Sequence, residues 1–290
     1  MKKAKLALKT SPDHQTVIHL GDRVTVGGAD LLIVGGPCAV ESQEQMEAVA
    51  SRLATAPVQA LRGGVYKPRT SPYDFQGLGL EGLQILASVR DRYGLPVITE
   101  VMAIAQIEDI ATYADVLQVG SRNMQNFDLL KALGSVQKPV VLKRGLAATL
   151  EEFVMAAEYI LSHGNPNVIL CERGIRSFDT YTRNVLDLGA VVALKQITHL
   201  PVIVDPSHAT GKRELVPSLA KAAIAAGADG LLVECHPVPD ESVSDARQAL
   251  SLDGMVELVR SLEAIATAVG RTIPSGAGSL SRLSFAETLV

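Results

Sequence analysis

Six cations, Arg62, Lys67, Arg69, Arg122, Lys143 and Arg173, fall at or just after short β-branched runs of this sequence. If those runs are strands whose ends share one mouth, the six converge from four of them. Such a group repels itself unless an anion neutralises it. Arginine forks suit phosphate and carboxylate bidentately, and lysine adds a point charge. For any single residue a solvated rim of ion pairs is an equally good reading. For all six at one mouth the better reading is a ligand with several negative charges and more than one phosphate. A second set, Cys38, His208, Glu234 and Asp245, combines a thiol, an imidazole and two carboxylates. Mixed S/N/O donors suit divalent Mn, Fe, Co or Zn. The four are scattered, with no C-x-x-C or H-E-x-x-H pair. Taken singly, Cys38 reads as a small buried residue and His208 as a hydrogen-bonded loop residue. Lys143 also leaves open a Schiff-base reading, since its cationic neighbours would lower its pKa.

These residues need elements to position them, and the chain supplies a regular alternation. Strand candidates are LLIVGG (31–36), VQALRGG (58–64), PVITEVM (96–102), VLQVGS (116–121), PVVLKRG (139–145), VILCERG (168–174), PVIVDPS (201–207) and GLLVECH (230–236). Near-continuous apolar runs of this kind belong to parallel strands buried on both faces. Helical spacing fills the gaps. Met46, Val49, Ala50, Leu53 and Ala54 share one face of a helix over 42–54, opened by a Ser42/Gln45 capping box. Leu83, Leu86, Ala87 and Arg90 repeat the pattern, and 151–162, 183–196 and 214–226 read as further helices.

Eight such units predict an α/β protein, a (β/α)8 TIM barrel, whose active face is the C-terminal end of the strands. An open doubly wound sheet would need a glycine fingerprint after its first strand, and here that strand runs into Gly35-Gly36-Pro37-Cys38. The organisation expected is an N-terminal extension over 1–30, a catalytic barrel over 31–268 and a Ser/Gly-rich tail over 269–290. TVIHL, GD and RVTVGG in the extension predict a β-hairpin covering the N-terminal end of the barrel. Cys171 should be core, and Cys235, one residue after Glu234, should face the opposite side. His14, His19, His163 and His199 fall away from the mouth and are expected at the surface.

Composition excludes several classes. A net charge of −4 gives no bulk attraction to nucleic acid, and with no tryptophan and 4% aromatics a stacking platform for single strands is not expected. No apolar run has the length of a membrane span, and the basic N-terminus lacks the apolar core of a secretory signal. Three cysteines make no disulfide framework. A cytoplasmic globular protein is expected.

The motifs then point to a family. GGPCAVES from Gly35, LRGGVYKPRTSPYDFQG from Leu61, QVGSRNMQN from Gln118, LKRG from Leu142, CERGIRSFD from Cys171, DPSHATGKR from Asp205 and ECHPVPDESVSDARQAL from Glu234 resemble 3-deoxy-D-arabino-heptulosonate 7-phosphate (DAHP) synthase, class I-beta. The resemblance runs in order over nearly the whole chain. It implies a transferase that condenses phosphoenolpyruvate with D-erythrose 4-phosphate and releases phosphate, the first step of the shikimate route to aromatic amino acids. It implies that Cys38, His208, Glu234 and Asp245 bind a divalent metal. Arg62, Lys67, Arg122, Lys143 and Arg173 would hold phosphoenolpyruvate, and Arg69, Thr70 and Ser71 the aldose phosphate. Lys67, Cys38, His208 and Asp245 would form the catalytic set, with Lys67 donating a proton to the new alkoxide.

The alternative is the related 3-deoxy-D-manno-octulosonate 8-phosphate synthase, which takes arabinose 5-phosphate. Its counterpart of KPRTS typically reads K-A-N-R-S-S, whereas here Pro68 joins Lys67 directly to Arg69. Some of those enzymes work without metal and carry Asn where this chain has Cys38, so the cysteine implies metal dependence. A non-catalytic phosphate-binding barrel would need a lost ligand or base, yet every motif position is filled. A homotetramer or homodimer is expected, with no nucleic-acid or membrane partner.

Overall fold

A computed structural model describes residues 3–274. Its centre is a parallel sheet of β3 (Leu32–Gly36), β4 (Ala60–Arg62), β5 (Val97–Val101), β6 (Val116–Val119), β7 (Val140–Lys143), β8 (Val168–Glu172), β9 (Val202–Val204) and β10 (Gly230–His236). Each strand pairs with the next, and β10 pairs with both β9 and β3, which closes the ring. Among the described residues this is an eight-stranded (β/α)8 barrel.

Helices cross between the strands: α1 (Gln43–Leu53), α2 (Leu80–Tyr93), α3 (Ile107–Tyr113), α4 (Phe127–Gly134), α5 (Leu150–Ser162), α6 (Leu188–Ile197), the short α7 (Pro206–Thr210), α8 (Val216–Ala225) and the closing α9 (Leu252–Ala268). Ser42 caps α1 by accepting from the Gln45 amide, as the sequence spacing predicts. The helix expected over 183–196 starts later, at Leu188, where Asp187 accepts from the Ala190 amide. Upstream of it the chain is held extended: Val185 pairs with Ile175, and the amides of Arg183 and Asn184 donate to the carbonyls of Thr210 and Ala209. Cross-chain bonds override helical periodicity there.

Strand alternation sorts the core into two compartments. Ile33, Leu61, Leu117, Leu142, Leu170 and Cys235 face the helices in the outer cluster. Leu32, Val34, Ala60, Ile98, Val116, Val141, Ile169, Cys171, Ile203 and Leu232 fill the barrel interior. The hairpin of β1 (Ile18–Leu20) and β2 (Val24–Val26) adds Ile18, Leu20, Val24 and Val26 to that interior cluster, so it plugs the N-terminal end. Because each side chain recurs on the same face every second residue, the interior positions two further along are Arg62, Glu100, Gln118, Lys143, Arg173, Asp205 and Glu234. The barrel therefore changes from apolar to charged within one step of the pleat.

His199 is not a surface residue: it is 9% exposed, because residues 4–16 lie across it. Its ring bonds the Leu6 carbonyl and the Thr16 hydroxyl, and His14 stacks on it. The first part of the tail packs on its own barrel. Thr272 pairs with Asp30, and the Pro274 carbonyl accepts from Gln59. The rest of the tail, 275–290, lies outside the described residues. Among the described residues no helix is long and apolar enough to cross a membrane.

The plug makes a stability prediction. Leu20 is fully buried at the foot of the barrel, so Leu20→Ala should lower the unfolding free energy by about 2–5 kcal/mol. Urea denaturation should show this as a lower midpoint with an unchanged slope.

Candidate metal centre and anion-binding cleft

The charged layer opens into a cleft of about 350 Å³ at the C-terminal ends of the strands. Lys67, Arg69, Arg122, Lys143, Arg173, His208 and Asp245 line it, as do Glu100, Arg176 and Arg183. Beneath it, donor atoms of Cys38, His208, Glu234 and Asp245 all lie within 4.8 Å of one another. Chain geometry brings them there. Gly36 ends β3 at φ +146, where a Cβ would stand 2.1 Å from the Arg62 carbonyl oxygen, and the backbone then carries Cys38 inward. Asp205 caps α7, which places His208 one turn on. Asp245 sits at φ +56, the one non-glycine positive φ among the described residues. Such a conformation persists where the surroundings over-determine it.

Hydrogen bonds orient each donor. Asp205 Oδ2 lies 2.7 Å from His208 Nδ1 and 2.5 Å from Lys143 Nζ. A carboxylate at Nδ1 fixes the proton on that nitrogen and turns the Nε2 lone pair into the cluster. There Nε2 is 3.2 Å from Glu234 Oε1 and 3.6 Å from Asp245 Oδ2. Arg62 donates to the same Glu234 oxygen at 2.6 Å. Cys38 Sγ lies 3.3 Å from Asp245 Oδ2, 3.1 Å from Ser244 Oγ and 3.0 Å from Lys67 Nζ.

Titration follows from these surroundings. Burial pushes the Cys38 thiol up to about 11, with Glu234 adding to the rise and Lys67 opposing it. Burial also lowers the His208 pKa, against the opposing pull of Asp205 and Glu234. For Asp245 burial works against ionisation, but His208 and Arg183 outweigh it and bring the pKa to about 2. Glu234 is likewise held below its usual range against burial by His208 and Arg62. An imidazole, two carboxylates and a thiol thus bring their donor atoms to one small volume. That arrangement is repulsive on its own and fits a cation at its centre. The group could hold a metal ion.

The sequence-predicted cations divide into four kinds. Arg173 is 5% exposed, enters no ion pair among the described residues, and has its Nη1 buried without a hydrogen-bond partner. Arg69 donates Nε to the Phe75 carbonyl and leaves Nη2 buried and unpartnered. Buried unpartnered donors are rare, and both residues belong to the cleft lining. Lys67 and Lys143 are buried at the cleft wall, the first on Cys38 and the second on Asp205. Arg122 lies at the rim, donating to the Pro68 carbonyl. Arg62 does not line the cleft; it lies beneath, bound to Glu234. Thr70 and Ser71 stand on the adjoining loop, off the cleft wall, where the Ser71 hydroxyl accepts from the Tyr73 amide. Arg144 and Glu172, also at strand ends, face outward and pair with each other at 2.8 Å.

Sequence reasoning missed Arg176, Arg183, Asn184 and Gln248. The first two belong to the loop after β8 and not to a strand end, and 183–196 reads as a helix by periodicity. The CERGIRSFD run was the available signal for Arg176.

The class this fold and its relatives define is a TIM-barrel enzyme, here with a Cys/His/Glu/Asp group that could hold a metal ion beside a cleft lined by cations. The sequence model of the DAHP synthetase I family matches residues 12–270, and the chain belongs to that family. It is 48% identical to phospho-2-dehydro-3-deoxyheptonate aldolase of Thermotoga maritima over 93% of this chain and 80% of that protein. It is 35% identical to 2-dehydro-3-deoxyphosphooctonate aldolase of Bordetella petrii over 79% and 88% of the two chains. A crystal structure of the Thermotoga maritima DAHP synthase superposes with a TM-score of 0.90 at 46% identity, over 94% of this chain and 80% of that one. A truncated form of the 3-deoxy-D-arabino-heptulosonate 7-phosphate synthase from the same organism gives 0.86 at 44% identity, over 93% and 98%.

A prediction follows for the metal-free protein. At pH 7 the Cys38 thiol holds its proton, and a thiolate is the metal-binding form. Metal binding should release one proton from this thiol, and affinity should rise about tenfold per pH unit while the pH stays below the thiol pKa. Calorimetry of Zn²⁺ binding in buffers of different ionisation enthalpy reads the proton count. Release of none would contradict the assignment of Cys38.

Proposed function

We infer that the chain is a DAHP synthase, condensing phosphoenolpyruvate with D-erythrose 4-phosphate in an aldol-type step that releases phosphate. The observation that carries the binding chemistry is Arg173, a buried guanidinium with a free donor beside Lys143 and Lys67. The cleft holds more positive charge than its own carboxylates answer, and phosphoenolpyruvate brings both a phosphate and a carboxylate. Relatedness carries the choice of acceptor. Identity is 48% to the heptonate aldolase and 33–36% to octonate aldolases.

The residues divide the work. Arg173 and Lys143 take the anionic groups of the enol donor, Arg122 closes them from the rim, and Arg62 supports the subsite from below, where it orients Glu234. Arg69, with Thr70 and Ser71 behind it on the same loop, takes the phosphate of the acceptor. That places the aldehyde end toward Lys67 and the Cys38 group. Cys38, His208, Glu234 and Asp245 would hold a divalent ion, with Mn, Fe, Co and Zn matching the donor set. When bound, the ion supplies Lewis-acid polarisation of the acceptor aldehyde or of the attacking water. Lys67 Nζ, 3.0 Å from the thiol and facing the cleft, holds the proton that the new alkoxide requires. Asp205 keeps His208 in one tautomer and anchors Lys143 in the same contact.

A cytoplasmic homodimer or homotetramer completes the reading. It is supported by free cysteines and by exposed apolar groups at Tyr73, Phe178 and Tyr181.

Phosphate release with phosphoenolpyruvate and either erythrose 4-phosphate or arabinose 5-phosphate, with and without chelator, tests the assignment. Release should require erythrose 4-phosphate, stop on chelation and return with Mn²⁺. Preference for the five-carbon sugar would overturn it. Arg173→Ala should raise the KM for phosphoenolpyruvate by about tenfold or more, as loss of a charge-assisted contact does, and raise that for the sugar much less. An equal rise in both would remove Arg173 from the donor subsite.

A further inference from the structure

Asp245 belongs to the long loop between β10 and the two-residue strand β11 (Leu250–Ser251), and its place beside Cys38 has to be enforced by other groups. Two side chains that carry no role in the reading above do this. Gln248 is 2% exposed. Its Nε2 donates to Glu234 Oε2 at 2.6 Å, and its Oε1 accepts from Arg183 Nη1 at 3.2 Å. Arg183 Nη1 also donates to Asp245 Oδ1 at 3.0 Å. The amide has only one workable orientation. A carboxylate needs a donor and a guanidinium needs an acceptor, so NH2 faces Glu234 and C=O faces Arg183.

The result is a division of labour between the oxygens of each acid. Oε2 of Glu234 and Oδ1 of Asp245 are tied by the Gln248–Arg183 pair. Oε1 of Glu234 and Oδ2 of Asp245 are the oxygens turned toward His208 Nε2; Oε1 also accepts from Arg62 Nη1 at 2.6 Å, and Oδ2 also faces Cys38 Sγ. Asp245 stands at a positive φ, a conformation its own backbone does not favour, and its carbonyl accepts from the Gln248 amide at 3.1 Å.

We propose that Gln248 and Arg183 form a positioning clamp that selects which oxygens of Glu234 and Asp245 face the ion, and thereby sets metal affinity. The inference rests on the metal-centre reading above. Both are positioning residues that act through the two acids. Gln248 is the stronger half, because its contact with Glu234 is fully buried. Arg183, with its side chain 40% exposed, shares its hydrogen bonds with solvent.

The test is Mn²⁺ titration of metal-free protein without substrates, with free ion read by its paramagnetic resonance signal. Wild type, Gln248→Met and Arg183→Met are compared, and urea midpoints of the metal-free forms are measured alongside. Wild type should bind one ion per chain. Gln248→Met should bind about 10–100-fold more weakly, as loss of a ligand-orienting contact does, and Arg183→Met should show a smaller loss. Saturating Mn²⁺ should restore the KM for phosphoenolpyruvate in Gln248→Met. Wild-type Mn²⁺ affinity in Gln248→Met overturns the clamp. If Gln248→Met does not fold, unchanged affinity in Arg183→Met overturns it instead, since removal of an exposed side chain leaves the core intact. Failure of wild type to bind Mn²⁺, Co²⁺ or Zn²⁺ defeats the metal-centre reading itself, and the clamp falls with it.

Discussion

Charges buried in a barrel mouth have to be answered, and the way they are answered here organises the rest of the molecule. Removing a charge from water is costly unless a partner and hydrogen bonds compensate it. Arg62 and Glu234 answer each other at 2.6 Å, and Lys143 and Asp205 at 2.5 Å. Arg173 and Lys67, equally buried, have no carboxylate partner among the described residues. The two unanswered cations are the groups that an anion in the cleft would neutralise. The four converging donors of Cys38, His208, Glu234 and Asp245, by the opposite sign, could hold a cation. A layer built only for stability would have paired these groups with each other. This one keeps cation-seeking and anion-seeking groups side by side.

The pleat makes such a layer possible. Below it, Val34, Ala60, Ile98, Val116, Val141, Cys171, Ile203 and Leu232 form an apolar floor, sealed by the hairpin. One step above, the same strands present the charged side chains, rigidly spaced by parallel pairing. A floor that excludes water strengthens every electrostatic contact above it. Loops then add what strands cannot: the KPRTS segment brings Arg69, and the loop after β10 brings Asp245.

Much of this was legible in the sequence, and the exceptions have physical causes. Apolar runs of parallel-strand type identify all eight barrel strands, because burial on both faces leaves little room for polar residues. The inward cations and the metal-ligand group follow from strand ends plus motif resemblance. Arg183 was hidden by a periodicity that suggested helix, where backbone bonds to Ala209 and Thr210 hold the chain extended. Gln248 has no signal in its residue type, since an amide that orients two acids looks like any loop glutamine until the fold brings Glu234 to it. The pairing of Arg62 with Glu234 is also not legible, because strand order says which residues share a face and not how deep each one sits. His199 reads as a surface residue because nothing in its neighbourhood reveals that residues 4–16 return to cover it.

The central claim is that a buried thiol at the end of β3 anchors the ion around which the cleft is built. Optical absorption of the Co²⁺-loaded protein tests it most directly. One Co²⁺ per chain with a thiolate-to-cobalt charge-transfer band, absent in Cys38→Ala although that variant keeps the wild-type far-ultraviolet circular dichroism, is the expected result. A wild-type protein that binds Co²⁺ without that band, or a Cys38→Ala protein that retains it, would contradict the account.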